Sequence, residues 1–214
     1  MALPIEHRRE KIELFAQIGV RLVDDLTDKP PRGHIDLALD VDDAGVWRET
    51  DLAPVAISRG VFSWVSLERN ADVSGAARLY RVRVSAEFYR PVYSIPGGEE
   101  FPVHPWNTDH PPAVFNKLQD IRLLPATNYA FPAHLPVIFG LVQDSSSAPV
   151  ADAMVSQSNK SQVLSDERGA FAIPLRQAAT GPPITIDAVK GTQTGTIDVT
   201  LPGDLGSNKL IPIA

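Results

Sequence analysis

Short runs in which apolar and polar residues alternate recur through most of this chain, and a period of two is the signature of half-buried strands. Ile35, Leu37, Leu39 and Val41 alternate with Asp36, Ala38 and Asp40. Leu79 to Tyr89 repeats the pattern, with Tyr80, Val82 and Val84 on one face and Arg81 and Arg83 on the other. Val20 and Leu22 flank Arg21 ahead of a turn-rich run from Asp24 to Pro31; Val61 to Val65 and Ile121 to Leu124 add two more strands. Pro91 to Pro112 is rich in Pro and Gly and is expected to be loop rather than strand. Pro125 to Pro136 is expected to connect to a second block of strands. Only residues 4–16 carry a helical pattern: Pro4 suits a first turn, and Ile5, Ile12, Phe15 and Ala16 fall on one face. A helix this short is marginal alone, so it is expected to pack on its own domain or to dock as an arm on a partner.

No helix-length amphipathic segment separates the strands, so the helical crossovers that parallel sheets use are not expected. The pattern predicts an all-β chain of two tandem antiparallel β-sandwich domains, of the immunoglobulin or prealbumin kind, with a short N-terminal helix. The expected boundaries are 1–16 for the arm, 17–136 for a first sandwich with a long Pro-rich insertion, and 137–214 for a second. An internal echo favours two related modules. Gly19-Val-Arg-Leu-Val-Asp24 is followed by Thr27 and Pro30, and Gly140-Leu-Val-Gln-Asp144 by Ser147 and Pro149. Later, Gly60-Val-Phe62 matches Gly169-Ala-Phe171. In each case Gly permits the turn, Asp with Pro caps the hairpin connection, and the aromatic side chain is expected to enter the core.

The second module runs from Val137-Ile-Phe-Gly-Leu-Val-Gln-Asp144 through Pro149 to Val155, then Ser165-Asp-Glu-Arg-Gly169-Ala-Phe171-Ala-Ile173 and two further alternating segments. This order of short strand, Asp turn, strand, Asp-x-x-Gly turn and aromatic strand resembles the carboxypeptidase regulatory-like family. That resemblance implies a transthyretin-type or prealbumin-type sandwich that binds and spaces rather than catalyses. A looser resemblance is carried by Leu123-Leu-Pro-Ala-Thr-Asn-Tyr129-Ala-Phe131-Pro leading into Val137. It looks like linkers in proteins associated with phage tails and contractile injection systems.

Composition narrows the function classes. A hydrophobic content of 43% can fill a core, which argues against global disorder. Nineteen prolines spread between apolar runs suit many short strands and work against long helices. The net charge is −6 and Lys and Arg do not cluster, so nucleic acid is not an expected partner. Cysteine is absent, which fits assembly in a reducing compartment. No apolar leader and no apolar run of membrane-spanning length is visible, so a cytoplasmic location, with incorporation into a particle, is the expectation.

Candidate chemistry is sparse. His104, Asp109 and His110 surround Trp106 within seven residues, but Pro105 and Pro111 stiffen the run and no regular pattern turns the imidazoles to one side, so no metal site is assigned. Gly-x-Ser-x-Gly and thiol nucleophiles are missing, and Gly97-Gly98 is followed by Glu99-Glu100, which would repel phosphate. Asp24-Asp25, Asp42-Asp43 and Glu99-Glu100 lack calcium-loop spacing and are expected to be solvated turn carboxylates. No catalytic residue, metal or cofactor is expected. Trp64 and Phe88 are expected in the core, and Tyr93, Phe101 and Trp106 are the candidate interface residues of an exposed aromatic patch. The expected role is a non-enzymatic structural or adaptor subunit, with other protein subunits of an assembly or further copies of itself as the expected partners. The alternative is a carbohydrate-binding or surface-adhesion module.

Overall fold

A computed structural model describes residues 15–112, 116–158, 160–176 and 181–214, and among these it is all-β, with sixteen strands and no helix. The helix expected over 4–16 lies outside the described residues except at its end, where Ala16 is already the first residue of a strand.

The first nine strands are β1 (Ala16–Asp24), β2 (Ile35–Asp43), β3 (Val46–Glu49), β4 (Val55–Ser58), β5 (Val61–Val65), β6 (Arg78–Ala86), β7 (Tyr89–Val92), β8 (Glu99–Val103) and β9 (Gln119–Pro125). They pair in the order β3-β2-β6-β7-β9-β1-β5-β4, with β8 on the far side of β6. The β6–β7 link is one residue pair, Ala86 with Tyr89, so the ladder is nearly interrupted there. Ile18, Val20 and Leu22 of β1 and Ile121 and Leu123 of β9 share one buried cluster with Leu39 of β2 and Tyr80, Val82 and Val84 of β6. The two halves of the ladder therefore face each other across that core. Alternation along β6 places Tyr80, Val82 and Val84 inward, as the sequence pattern predicts, while Leu79 is exposed.

The remaining strands are β10 (Val137–Gln143), β11 (Met154–Gln157), β12 (Ser161–Leu164), β13 (Ala170–Pro174), β14 (Ile184–Lys190), β15 (Gln193–Val199) and β16 (Lys209–Pro212). They form a three-stranded sheet, β13-β10-β16, and a four-stranded sheet, β12-β11-β14-β15. Both contribute to a second buried cluster that includes Ile138, Val142, Val155, Phe171, Ile186, Ala188 and Ile211.

Pairing is not purely antiparallel, which corrects the sequence expectation. β1 runs parallel to β9, and β10 runs parallel to β16. In both cases the first strand of a set meets its last, so the intervening strands make the connection that a helix makes in a βαβ unit. The Pro-rich stretch from 91 to 112 also holds a strand, β8. Its Pro102 is tolerated because β8 pairs only with β6, and an edge strand has no second neighbour to receive an N–H.

The sequence echo has a shared geometry. Leu22 N–H donates to Gly60 O at 2.8 Å, and Val142 N–H donates to Gly169 O at the same distance. Two residues beyond each donor lies an Asp whose carboxylate accepts a backbone N–H: Leu26 on Asp24 at 2.9 Å and Ser146 on Asp144 at 2.8 Å. Gly60 and Gly169 both adopt left-handed φ, 76° and 73°. A Cβ at Gly60 would meet Pro30 at 3.0 Å, and one at Gly169 would meet Pro149 at 3.2 Å. Val20 opposes Phe62 and Gly140 opposes Phe171, so the structural match sets Val20, not Gly19, against Gly140.

Polar contacts link the two sets of strands. Arg176 Nη2 donates to the carbonyl of Asp25 at 2.7 Å, and Arg90 pairs with Asp152.

Candidate functional site

The most heavily built polar feature lies on the outer face of β2, β3 and β6. Alternation sends Asp40, Trp47, Glu49, Arg81 and Arg83 to the side opposite the core. Asp40 is nevertheless only 2% exposed, because two guanidiniums close over it. Arg81 donates from Nε and Nη2 to Oδ2 at 3.0 and 2.7 Å, and Arg83 donates from Nε to Oδ2 at 2.8 Å and from Nη2 to Oδ1 at 2.9 Å. Arg83 Nη2 also reaches Glu49 at 2.6 Å. Arg81 lies 4.5 Å from the centroid of the Trp47 ring, and Gly98 packs on its stem, where a Cβ would come within 2.5 Å of Arg81 Cγ. Burial pushes the Asp40 carboxyl up, but hydrogen bonds and charge from Arg83 and Arg81 outweigh it, so the group titrates below the ordinary Asp range.

Beside this network a cleft of about 390 Å³ is lined by Asp36, Glu49, Arg83, Ser85, Pro91 and Tyr93, among others. Tyr93, one of the three interface candidates, is half-buried at this cleft. Its hydroxyl accepts Val84 N–H at 2.7 Å. The other two candidates are in the interior, which corrects the expectation of an exposed patch. Phe101 is 1% exposed, opposite Tyr80 on the core side of β8. Trp106 is 2% exposed; its indole donates to Leu67 O at 2.7 Å, its backbone pairs with Glu68 and Asn70, and Phe15 meets it edge-on at 5.0 Å. The aromatic surplus of the Pro-rich stretch thus anchors that stretch instead of covering its surface.

His110 is engaged with Asn107 and His104 stands apart from it in the chain; among the described residues no group of three or more His, Cys, Asp or Glu is placed to hold a metal. The carboxylates expected to be solvated divide. Asp25 and Asp43 pair with Arg122 and Arg48. Asp24 is 1% exposed and accepts from Leu26 N, Thr27 Oγ1, and the hydroxyls of Tyr129 at 2.9 Å and Tyr89 at 3.3 Å. Glu99 is buried and accepts from Ser94 N and Oγ at 3.0 Å each. Desolvation, together with the Asp24 contact, pushes the Tyr129 phenol up to about 12, although Arg32 pulls the other way.

Two surfaces are apolar instead of reactive. On the three-stranded sheet, Phe139, Leu141 and Leu210 are 46%, 38% and 51% exposed, and Leu141 and Leu210 are register partners. Val137, Ala170, Pro212 and Gln143 lie on the same side, as do Ala172 and Pro174, which are buried. At the end of the nine-stranded sheet, all four residues of β4 are exposed, with Ile57 at 62% and Val55 at 45%. Sequence periodicity does not reveal either surface, because a strand pattern says which faces alternate and not which one a neighbour covers.

No protein-family model matches the chain, and no curated protein matches it. Among solved structures, the Bacillus anthracis TIE protein is similar over 92% of this chain at 9% identity and a TM-score of 0.29. The chain spans 33% of that protein's length. A likeness at that score assigns neither fold nor role.

Proposed function

We propose that this chain is a non-enzymatic structural or adaptor subunit of a larger protein assembly, made in the cytoplasm and built from two tandem sandwich domains of the immunoglobulin or prealbumin kind. Domain 17–136 carries the long insertion, and domain 137–214 is the carboxypeptidase regulatory-like module. A phage-tail-like or contractile injection particle is the kind of assembly meant.

The observation that carries the proposal is the outer face of the β13-β10-β16 sheet. Where one face of a sheet packs on the core, the residues of its solvated face are ordinarily polar. Here Phe139, Leu141 and Leu210 stand together on it, and contiguous exposed apolar surface marks contact with another macromolecule. The other polar clusters are saturated by their own partners: Asp40 by two arginines and Asp24 by two tyrosines and a turn. A photocrosslinking residue at position 139, with position 198 on the opposite sheet as control, tests this in cells that express the chain. Discrete protein adducts at 139 and none at 198 are expected; no adduct at 139 would overturn the assignment of that face.

The cleft beside Tyr93 favours a second reading. An aromatic ring, a guanidinium, two carboxylates and a serine around about 390 Å³ suit the hydroxyls and apolar face of a sugar. Glycan-array binding that is lost in Tyr93→Ala and kept in Leu141→Lys would move the chain into the carbohydrate-binding or adhesion class.

A further inference from the structure

We infer that the cleft at the end of β1, lined by Lys29 and Arg59, is a binding site for a small multivalent oxyanion of the phosphate kind, free or as a phosphate monoester. The inference goes beyond the structural-subunit reading and does not depend on it, since it concerns another surface and another class of ligand.

The cleft measures about 280 Å³, and its charged lining is Arg21, Lys29, Arg59 and Arg122 against Asp28 and Asp120. Folding thus gathers cations that stand apart in the sequence, on a chain whose net charge is −6. The carboxylates are engaged locally. Asp120 receives Arg21 through Nε at 2.7 Å and Nη2 at 2.5 Å, and Arg122 meets Asp25 at 2.9 Å and Asp28 at 3.6 Å. Lys29 and Arg59 make no side-chain hydrogen bond or ion pair among the described residues. In this they differ from the arginines over Asp40, which hold an anion of the chain's own. A guanidinium offers a planar fork of donors and an ammonium a compact charge. Together they suit a ligand with several oxygens and more than one negative charge.

Backbone contacts fix both free cations at the same end of β1. Lys29 O accepts Asp24 N–H at 2.9 Å, and Gly60 O, next to Arg59, accepts Leu22 N–H at 2.8 Å. The turn ahead of Lys29 is tied down by the buried Asp24 carboxylate, which accepts from Leu26 N and Thr27 Oγ1. Like charges are therefore held on one cleft although they repel, and an anion between them removes that repulsion.

The second set of strands shows that this backbone does not need the cations. By strand register, Arg21, Asp120 and Arg122 correspond to Leu141, Leu210 and Pro212. Lys29 corresponds to Ala148, whose carbonyl accepts Asp144 N–H just as that of Lys29 accepts Asp24 N–H. Of the four cations only Arg59 has a cationic counterpart, Arg168 ahead of Gly169. The same framework carries an apolar surface in one set and a cationic cleft in the other, so forming the turn does not account for the charges.

Titration of the full chain with inorganic phosphate and with glycerol 3-phosphate, followed by the backbone amide NMR spectrum at low ionic strength, tests the inference. Saturable shifts centred on the amides of Lys29, Arg59 and Gly60 are expected, with a Kd below about 1 mM. A tighter Kd for the ester assigns the ligand to phosphate monoesters, and an equal or weaker one to free phosphate. Lys29→Ala and Arg59→Ala should each weaken binding by about tenfold or more. Arg168→Ala, at the matching turn, should leave it unchanged. Acetate at the same ionic strength, with a single charge, should bind at least about tenfold more weakly than phosphate. The spectrum of each variant shows directly whether it is folded, and the altered side chains are exposed. Binding weaker than about 1 mM for both phosphates overturns the inference, as do shifts centred elsewhere, affinity insensitive to Lys29→Ala and Arg59→Ala, or acetate binding as tightly as phosphate.

Discussion

Arg83 grips Asp40 with both ends of its guanidinium, Nε on Oδ2 at 2.8 Å and Nη2 on Oδ1 at 2.9 Å, while the carboxylate lies only 2% exposed. Arg81 shares Oδ2, so one buried anion organises two cations. Neutralising it leaves both guanidiniums without their shared anion, and Arg81 is the more buried of the two. Asp40→Asn should therefore cost about 2–4 kcal/mol in urea unfolding, a size typical of breaking a buried pair from one side. Glu49→Gln, whose side chain is largely exposed, should cost under about 1 kcal/mol.

The same pair sets a dependence on acid. The folded-state pKa of Asp40 is depressed, so the unfolded chain binds the proton more readily. Its stabilising contribution is complete above the ordinary Asp value of about 3.9 and is lost as pH falls through the lower folded value. Wild-type stability should drop over that window, and Asp40→Asn should lack this component. Urea midpoints measured through the acid range check it; parallel curves for the two proteins would contradict the assignment.

Gly60 and Gly169 occupy matching turns, but their surroundings differ. At Gly169 a Cβ would lie 2.5 Å from Val142 O and 3.1 Å from Val150 N, both backbone. At Gly60 the closest approaches are 3.0 Å to Pro30 Cβ and 3.2 Å to Leu22 O. Each alanine also takes on left-handed strain, worth about 1–2 kcal/mol. Gly60→Ala should cost about that much, and Gly169→Ala clearly more, because backbone cannot yield as a proline ring can. Thermal melts of the two single variants decide the order.

That matching turn was legible in sequence because each half is a short motif that appears twice in the same order: Asp, a hydroxyl and Pro, and later Gly two residues before an aromatic. The inward face of β6 was legible from alternation within the strand itself. Burial set by distant partners was not. Asp24-Asp25 and Asp144 begin similar turns, yet only Asp24 is sealed, by tyrosines 65 and 105 residues away. Trp106 looks like loop decoration until Leu67 O, 39 residues earlier, receives its indole. β3 and β4, four residues each, are too short for a period to register. The parallel pairs escaped because the rule linking parallel strands to helical crossovers applies to neighbours in sequence, and β1 with β9 are not neighbours.

Arg176 is the strongest candidate for holding the two sets of strands in one arrangement, since its guanidinium crosses to Asp25 O while Gln157 brackets its own backbone at 3.1 and 3.3 Å. The Arg90–Asp152 pair is partly exposed and should contribute little. Arg176→Ala should therefore change the small-angle scattering profile toward a more extended particle, with a loss of about 1 kcal/mol. Asp152→Ala should leave both nearly unchanged.

Tyr129 gives the alkaline counterpart of Asp40. Its phenol, pushed up to about 12, donates to the buried Asp24 carboxylate, so ionising it would set two anions together in the core. A raised folded value means the native state holds the proton that the unfolded chain gives up near pH 10. The stabilisation is therefore complete below pH 10 and declines as pH climbs toward 12. Tyr129→Phe removes one donor from Asp24, which keeps Tyr89, Thr27 and the Leu26 amide, and should cost about 1–2 kcal/mol at neutral pH. Above pH 10 the gap between wild type and Tyr129→Phe should narrow. Denaturant titrations at stepped alkaline pH, with tyrosinate absorbance followed in parallel, measure both; a gap that stays constant to pH 12 would mean that Tyr129 ionises as freely in the fold as out of it.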